Sequence, residues 1–319
     1  MAKARSKKGG ASSKKKAGRG WYWILGAALL LLLVQAVNLM VKSASSKSFP
    51  VQRVLTFKGD TQDCGPFLAW AVGQVDGRQI AVTDQGKNRV LLFDMTGRYQ
   101  RSIDQKSAGE PKFNEISGLA SDAEGNLYVM DAWNSLIRGF DPKGKTTVKA
   151  RIDNTYGPRG VEAYRGDFLI ADTGVHRVAK VSSTGTLLGS WGRKGSGKVE
   201  FSDPLDVKAG PDGNIFVADS NNHRIQVLDP SGKFLKDLEV DGIVNSLAVD
   251  KEGRVYATNQ ERGNIFVFSK TGKSLGKASD ASLKVPAPLD GVKGLAALPD
   301  GSIVAGRRDE VLLLKPVTP

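Results

Sequence analysis

Residues 213–232 read GNIFVADSNNHRIQVLDPSG: a turn glycine, an apolar run, a polar turn, a second apolar run and another turn glycine. Short runs of Val, Ile, Leu and Phe bounded by Gly, Asn, Asp and Ser mark paired β-strands. The unit recurs. Gly77-RQIAVTD, Gly125-NLYVMDA, Gly166-DFLIADT, Gly213-NIFVADS, Gly253-RVYATNQ and Gly301-SIVAGRR follow one another at intervals of 48, 41, 47, 40 and 48 residues. A second turn glycine, Gly97, Gly144, Gly185, Gly232 or Gly272, follows each of the first five at offsets of 20, 19, 19, 19 and 19. So regular an offset sets the length of one hairpin.

A further short strand precedes each first turn (LAWAV, GLAS, GVEAY, DVKAG, SLAVD, GLAAL), and another follows each second turn (RYQRSI, KTTVKARI, TLLGSW, KFLKDL, KSLGKA). Four antiparallel strands per repeat of this length predict a propeller blade. The fold class expected is therefore all-β, a six-bladed β-propeller over 51–319, preceded by one transmembrane helix. The sixth repeat has three strands before the sequence stops at Pro319, and Val51–Phe57, VQRVLTF, is expected to supply the fourth. Pairing the two ends in one blade would close the ring and remove its exposed edges.

The NHL repeat is resembled by DQGKNRVLLFDMTG, DTGVHRVAKVSSTG and DSNNHRIQVLDPSG, with Asp, three variable residues, Asn or His, Arg, Ile or Val, an apolar strand and a glycine. The resemblance spans about residues 63 to 316. It departs in the second repeat, where Leu136 stands for the Arg, in the fifth, with Asn264, and in the degenerate sixth. It implies a six-bladed propeller and leaves function open, since propellers of this kind include lyases, hydrolases and binding modules. The pairs Asp84/Arg89, Asp172/Arg177 and Asp219/Arg224 share one spacing, which favours a repeated structural tie; His176 and His223 precede that Arg and read as turn residues.

Propeller chemistry sits where the innermost strands converge. The resemblance implies that an NHL-like enzyme, such as the amidating lyase of peptide processing, carries metal ligands just before the apolar core of those strands. Here the matching positions are Ala69, Ser117, Arg159, Leu205, Asn245 and Lys293, with Asp206 one residue along. A divalent metal needs several carboxylates or imidazoles together, so no metal and no cofactor are expected. The amidating-lyase and calcium-dependent lactonase readings lose their main support. The set Arg159, Lys293, Ser117, Asn245 and Asp206 instead predicts a channel mouth suited to an anionic group, because charge-assisted hydrogen bonds are strong ones. The alternative is that the two cations pair with local acids such as Asp206 and Asp290. Loops Asp104–Phe113 and Arg193–Asp203 are the alternative recognition surface.

The chain carries 46 Lys and Arg against 33 Asp and Glu, a formal charge of +13. Ten of the cations and none of the acids lie in residues 1 to 50, which leaves 36 against 33 for the rest. The repeats are nearly neutral, so basicity gives no support to nucleic-acid binding. One cysteine, Cys64, excludes an intrachain disulfide, and two histidines exclude a three-histidine metal centre.

The run WYWILGAALLLLLVQAVNLMV, residues 21–41, has no charge and is long enough to span a bilayer. Cations cluster before it, so the positive-inside rule puts residues 1–20, a basic disordered tail, in the cytoplasm and the propeller outside the cytoplasm, beyond a linker at 42–50. The apolar run exceeds a signal-peptide core and Lys42 disfavours cleavage after Ala44, so retention as a signal anchor is expected. Gln35 and Asn38 share one helical face and are candidate contacts to a partner helix. The expected function is a non-enzymatic scaffold of an envelope complex, its partners the membrane and an envelope or membrane protein, with no nucleic acid. The alternative is a membrane-anchored hydrolase or lyase with an unrecognised axial site.

Overall fold

The computed structural model describes residues 48–59, 63–259, 261, 264–280, 287–288 and 291–317. All fall within the unit Ser45–Pro319. The basic tail, the apolar run 21–41 with Gln35 and Asn38, and Asp290 lie outside the described residues. No helix among the described residues is long and apolar enough to cross a membrane.

The fold is all-β and propeller-like. Four sheets stand as separate four-stranded blades. Blade 1 comprises Ala69–Val75, Gln79–Asp84, Arg89–Asp94 and Tyr99–Ile103; blade 2, Ile116–Ser121, Leu127–Asp131, Leu136–Phe140 and Thr146–Arg151. Blade 3 comprises Val161–Tyr164, Asp167–Asp172, Arg177–Val181 and Leu187–Trp191; blade 4, Pro204–Ala209, Ile215–Asp219, Arg224–Leu228 and Phe234–Glu239. In each blade the strands pair antiparallel in chain order, so hairpin turns alone make the connections. The eleven turn glycines adopt φ between +69° and +93°, a region closed to most side chains.

The expectation of six separate blades is corrected. The remaining strands form one nine-stranded sheet. Its first half is Val244–Val249, Val255–Asn259, Ile265–Phe268 and Ser274–Asp280; its second is Gly294–Ala297, Ile303–Arg307 and Glu310–Pro316, with Ala287–Pro288 on the side. Ser48–Lys58 joins the halves. It runs antiparallel to Glu310–Pro316, from Val51 opposite Pro316 to Lys58 opposite Glu310, with a bulge between Arg53 and Leu55. Its first four residues run parallel to Lys277–Asp280. The strand starts at Ser48 rather than Val51, and that extra length welds the halves.

Middle strands are buried on both faces because neighbouring sheets sandwich them, hence their unbroken apolar runs: Ile80, Ala81 and Val82, or Val90, Leu91, Leu92 and Phe93. Outer strands keep one side in water and alternate, as in TTVKAR of Thr146–Arg151. The core lies between successive sheets, for example Met130, Ile137, Phe168 and Ile170 between blades 2 and 3. The innermost strands close on each other at small residues. A Cβ on Gly118 would stand 2.5 Å from Arg159 O, and one on Gly294 2.7 Å from Trp70 O. Between blade 4 and the nine-stranded sheet an apolar cluster that includes Phe216, Ile225, Leu247 and Phe266 is joined at the innermost strands by a hydrogen bond, Leu247 N donating to Asp206 Oδ2 at 2.9 Å.

Candidate functional site

The Asp–Arg pairs are ties, not a ligand ring. Arg89, Arg177 and Arg224 donate through Nε to Asp84, Asp172 and Asp219 at 2.9, 2.9 and 2.7 Å. The second oxygen of each carboxylate accepts a backbone N–H from the preceding connection: Leu68, Tyr156 and Ser202. Each Nη2 then donates to a carbonyl of the same connection: Cys64, Asn154 and Gly197. One ion pair thus anchors an entire inter-blade segment. His176 and His223 close the intervening 3-10 turns in left-handed conformation, with φ of +59° and +56°. Cys64 is a buried free thiol, and burial pushes its pKa up.

The innermost strands surround an axial cavity of about 40 Å³ lined by Ser117, Arg159, Asp206, Asn245 and Lys293, and also by Trp70 and Lys208. The five residues singled out from the sequence therefore share one cavity. Ala69 does not line it. A bulge between Ala69 and Val72 buries Ala69 and turns Trp70 to the mouth.

Several of these groups are already engaged. Arg159 Nη1 lies 2.7 Å from Glu115 Oε1, an acid that the sequence reading passed over in favour of Asp206 or Asp290. Ser117 Oγ donates to the carbonyls of Pro158 and Arg159 at 3.2 and 3.0 Å, and Asn245 Nδ2 donates to Lys293 O. Asp206 accepts from Val207 N and Lys208 Nζ on one oxygen, and from Leu247 N and Ser246 Oγ on the other.

Lys208 is the group that sequence reasoning missed. A second cavity of about 190 Å³ shares Val72, Leu119, Lys208 and Leu295 with the first and adds Glu162. Lys208 Nζ therefore stands where the two meet, 3.2 Å from Asp206 Oδ1 and 3.5 Å from Glu162 Oε2. Burial opposes the ammonium, but the Asp206 and Glu162 carboxylates outweigh it and hold Lys208 above the ordinary lysine range. Burial pushes the Glu162 carboxyl up, against the pull of Lys208. The signal was in the sequence: in the strand Leu205-Asp206-Val207-Lys208, residues 206 and 208 share a face by strand alternation. Among the described residues no group of three or more His, Cys, Asp or Glu is placed to hold a metal ion.

Fold and repeat together define the class: an all-β propeller-like domain that carries an NHL repeat, matched by the NHL repeat model over residues 201–228. Among solved structures, the chain resembles a streptogramin B lyase at a TM-score of 0.62, 13% identity, and coverage of 82% of this chain and 97% of that one. It resembles a catalytically inactive virginiamycin B lyase from Staphylococcus aureus with quinupristin at 0.60 and 12% identity, covering 85% and 100%. At such identities the likeness is one of fold. In sequence, a probable peptidyl-alpha-hydroxyglycine alpha-amidating lyase of Caenorhabditis elegans is 28% identical over 179 residues, 52% of this chain and 44% of that protein. The chain thus spans less than half the length of the curated relative that it matches. The expectation of a non-enzymatic module is corrected by the sequence relative, which is named a lyase and points to an enzyme.

Proposed function

We propose that the chain is a lyase whose chemistry takes place in the axial cavity. One observation carries the reading: an ammonium, Lys208, held within 3.5 Å of two carboxylates where the two cavities meet. An elimination needs one group to remove a proton and another to protonate the departing atom. Glu162 takes the first role, because burial raises its affinity for a proton. Lys208 donates its proton to the leaving atom, and Glu162 returns one to Lys208 afterwards, so that both end as they began. Asp206, fixed by backbone and hydroxyl donors, orients the ammonium. Arg159 and Lys293 at the mouth favour a substrate with a negative group.

The test uses the full-length protein on peptidyl-alpha-hydroxyglycines and on streptogramin B in heavy-oxygen water. Peptide products free of solvent oxygen, and a loss of about a hundred-fold or more in Lys208→Met, are expected; the peptide is the product read, because an aldehyde such as glyoxylate exchanges its oxygen with water by hydration. Uptake of solvent oxygen would make the enzyme a hydrolase. Full activity in Lys208→Met would move the chemistry elsewhere.

We further propose that the nine-stranded sheet counts as two fused blades, which makes the ring six-fold. The uncharged run 21–41 is proposed as a retained membrane anchor, with the propeller outside the cytoplasm and an envelope protein contacting Gln35 and Asn38. Protease added to intact spheroplasts should release a compact fragment; protection until detergent is added would reverse this topology.

A further inference from the structure

Trp133 and Tyr156 are large side chains left open to solvent, 49% and 64% exposed, with their rings edge to face at 6.0 Å. Their backbones are fixed. Trp133 N donates to Asn114 O, and Tyr156 is held by Asp172 through its N–H and by Gly174 through its carbonyl. The fold does not ask for aromatic residues here. The position of Trp133, two past the tie aspartate, is Gly86 in blade 1, Gly174 in blade 3 and Asn221 in blade 4. The position of Tyr156, whose N–H meets that aspartate, is Leu68, Asn114 and Ser202 elsewhere. Only where the two meet has the repeat placed a ring at both, and Gly174 leaves room: a Cβ there would stand 2.2 Å from Tyr156 Cδ1.

The pair is wired to the axial cavity. Glu115 accepts from Trp133 Nε1 on one carboxylate oxygen and pairs with Arg159, a residue lining the cavity, on the other. Glu115 itself sits at φ +59°, a conformation that costs a non-glycine residue energy, and is pinned there by Asn88 Oδ1, which accepts its N–H at 3.1 Å. Arg159, Lys208 and Lys293 line the cavity with Asp206; Asp206 and Glu162 engage Lys208, and Glu115 meets Arg159 through Nη1.

We infer that Trp133 and Tyr156 form a subsite for the aromatic group of a small anionic ligand whose charged end enters the axial cavity beside Arg159. This deepens the axial reading and rests on it for the location of the charged end. Rigid, exposed rings bind a flat apolar group at low entropic cost, and the Arg159 guanidinium, met by Glu115 at Nη1, has further N–H donors to turn toward the ligand's charge.

The probe is N-acetyl-phenylalanine, titrated calorimetrically into the full-length protein in detergent micelles, with N-acetyl-phenylalanine amide as the neutral control. Saturable binding is expected, weakened at least about five-fold in Trp133→Ala, in Tyr156→Ala and with the amide, while melting stays unchanged because both rings are exposed. Absence of saturable binding, equal affinity in both ring variants, or equal affinity for the amide would overturn the inference. Binding retained in Lys208→Met, which loses turnover, separates the subsite from the chemistry; wild-type protein that binds the probe but turns over neither substrate sinks the lyase reading alone.

Discussion

Blades 2 and 4 solve one problem with different residues. In blade 4, Arg224 holds Asp219 and the carbonyls of Gly197 and Glu200, and Gln226, two residues along the strand, donates to all three of the same groups. In blade 2 the first position is Leu136, which packs in the core, and Arg138 stands where Gln226 would. Its guanidinium reaches Asp131 at 2.7 Å, donates to the carbonyls of Ala108, Gly109 and Pro111, and stacks on Phe113 at 4.6 Å. Alternate residues on a strand share a face, so the cation can move two positions without leaving the site. The repeat preserves a charge in space rather than a letter in sequence. Asn134 and Asn222 brace the two aspartates alike, but beyond them one buried arginine in blade 2 does what two side chains do in blade 4, and its Nε is left without a partner.

The largest expected effect follows from that difference. Arg138→Met leaves Asp131 buried with its ion pair gone and should cost about 3–5 kcal/mol by chemical denaturation. Arg224→Met leaves Gln226 in place to meet Asp219 and both carbonyls, and should cost about 1.5–3 kcal/mol, the range for a hydrogen bond to a charged group. Equal losses would show that the second donor in blade 4 contributes nothing.

A graft sharpens the comparison. Leu136→Arg with Arg138→Gln gives blade 2 the arrangement of blade 4. The double variant should recover at least about 1 kcal/mol relative to Arg138→Gln alone, a non-additive gain between neighbours sharing one partner. If it is no more stable than the single variant, the connection 104–115 is fitted to Arg138 itself and the two blades are not interchangeable.

Much of this was legible in the sequence for a physical reason. Glycines at left-handed turns cannot be replaced cheaply, so Gly125 and Gly144 mark the hairpin whatever happens between them. The mouth residues followed from counting back along the inner strands, and the count failed only at Ala69, where a bulge shifts the register. Sequence patterns missed what depends on length or on partners distant in the chain. Ser48–Pro50 read as linker because its parallel partner lies more than two hundred residues away. Glu115 precedes its strand and shows its role only when Arg159 comes to it. Glu162 and Lys208 alternate with apolar residues along their strands, and only the closing of the inner strands on each other brings the two side chains together.

Blade 3 offers the smallest effect, and its sign is the test. Asp172 carries the same tie as Asp219, yet burial pushes its pKa up against the opposing pull of the Tyr156 N–H and Arg177. A folded-state value above the unfolded one means that the folded protein binds the extra proton over that window. The contribution of Asp172 to stability is therefore fully present below the ordinary aspartate range and is lost as pH rises through the raised folded value. Arg177→Met removes a group that stabilises the carboxylate, which lifts the folded value further and widens the window. Its cost should accordingly be small in acid, where Asp172 is protonated in both states, and should grow toward neutral pH. Melting temperatures of wild type and Arg177→Met, measured in parallel across that range, should diverge upward with pH. Parallel curves would show that Arg177 acts through its bond to the Asn154 carbonyl and not through charge.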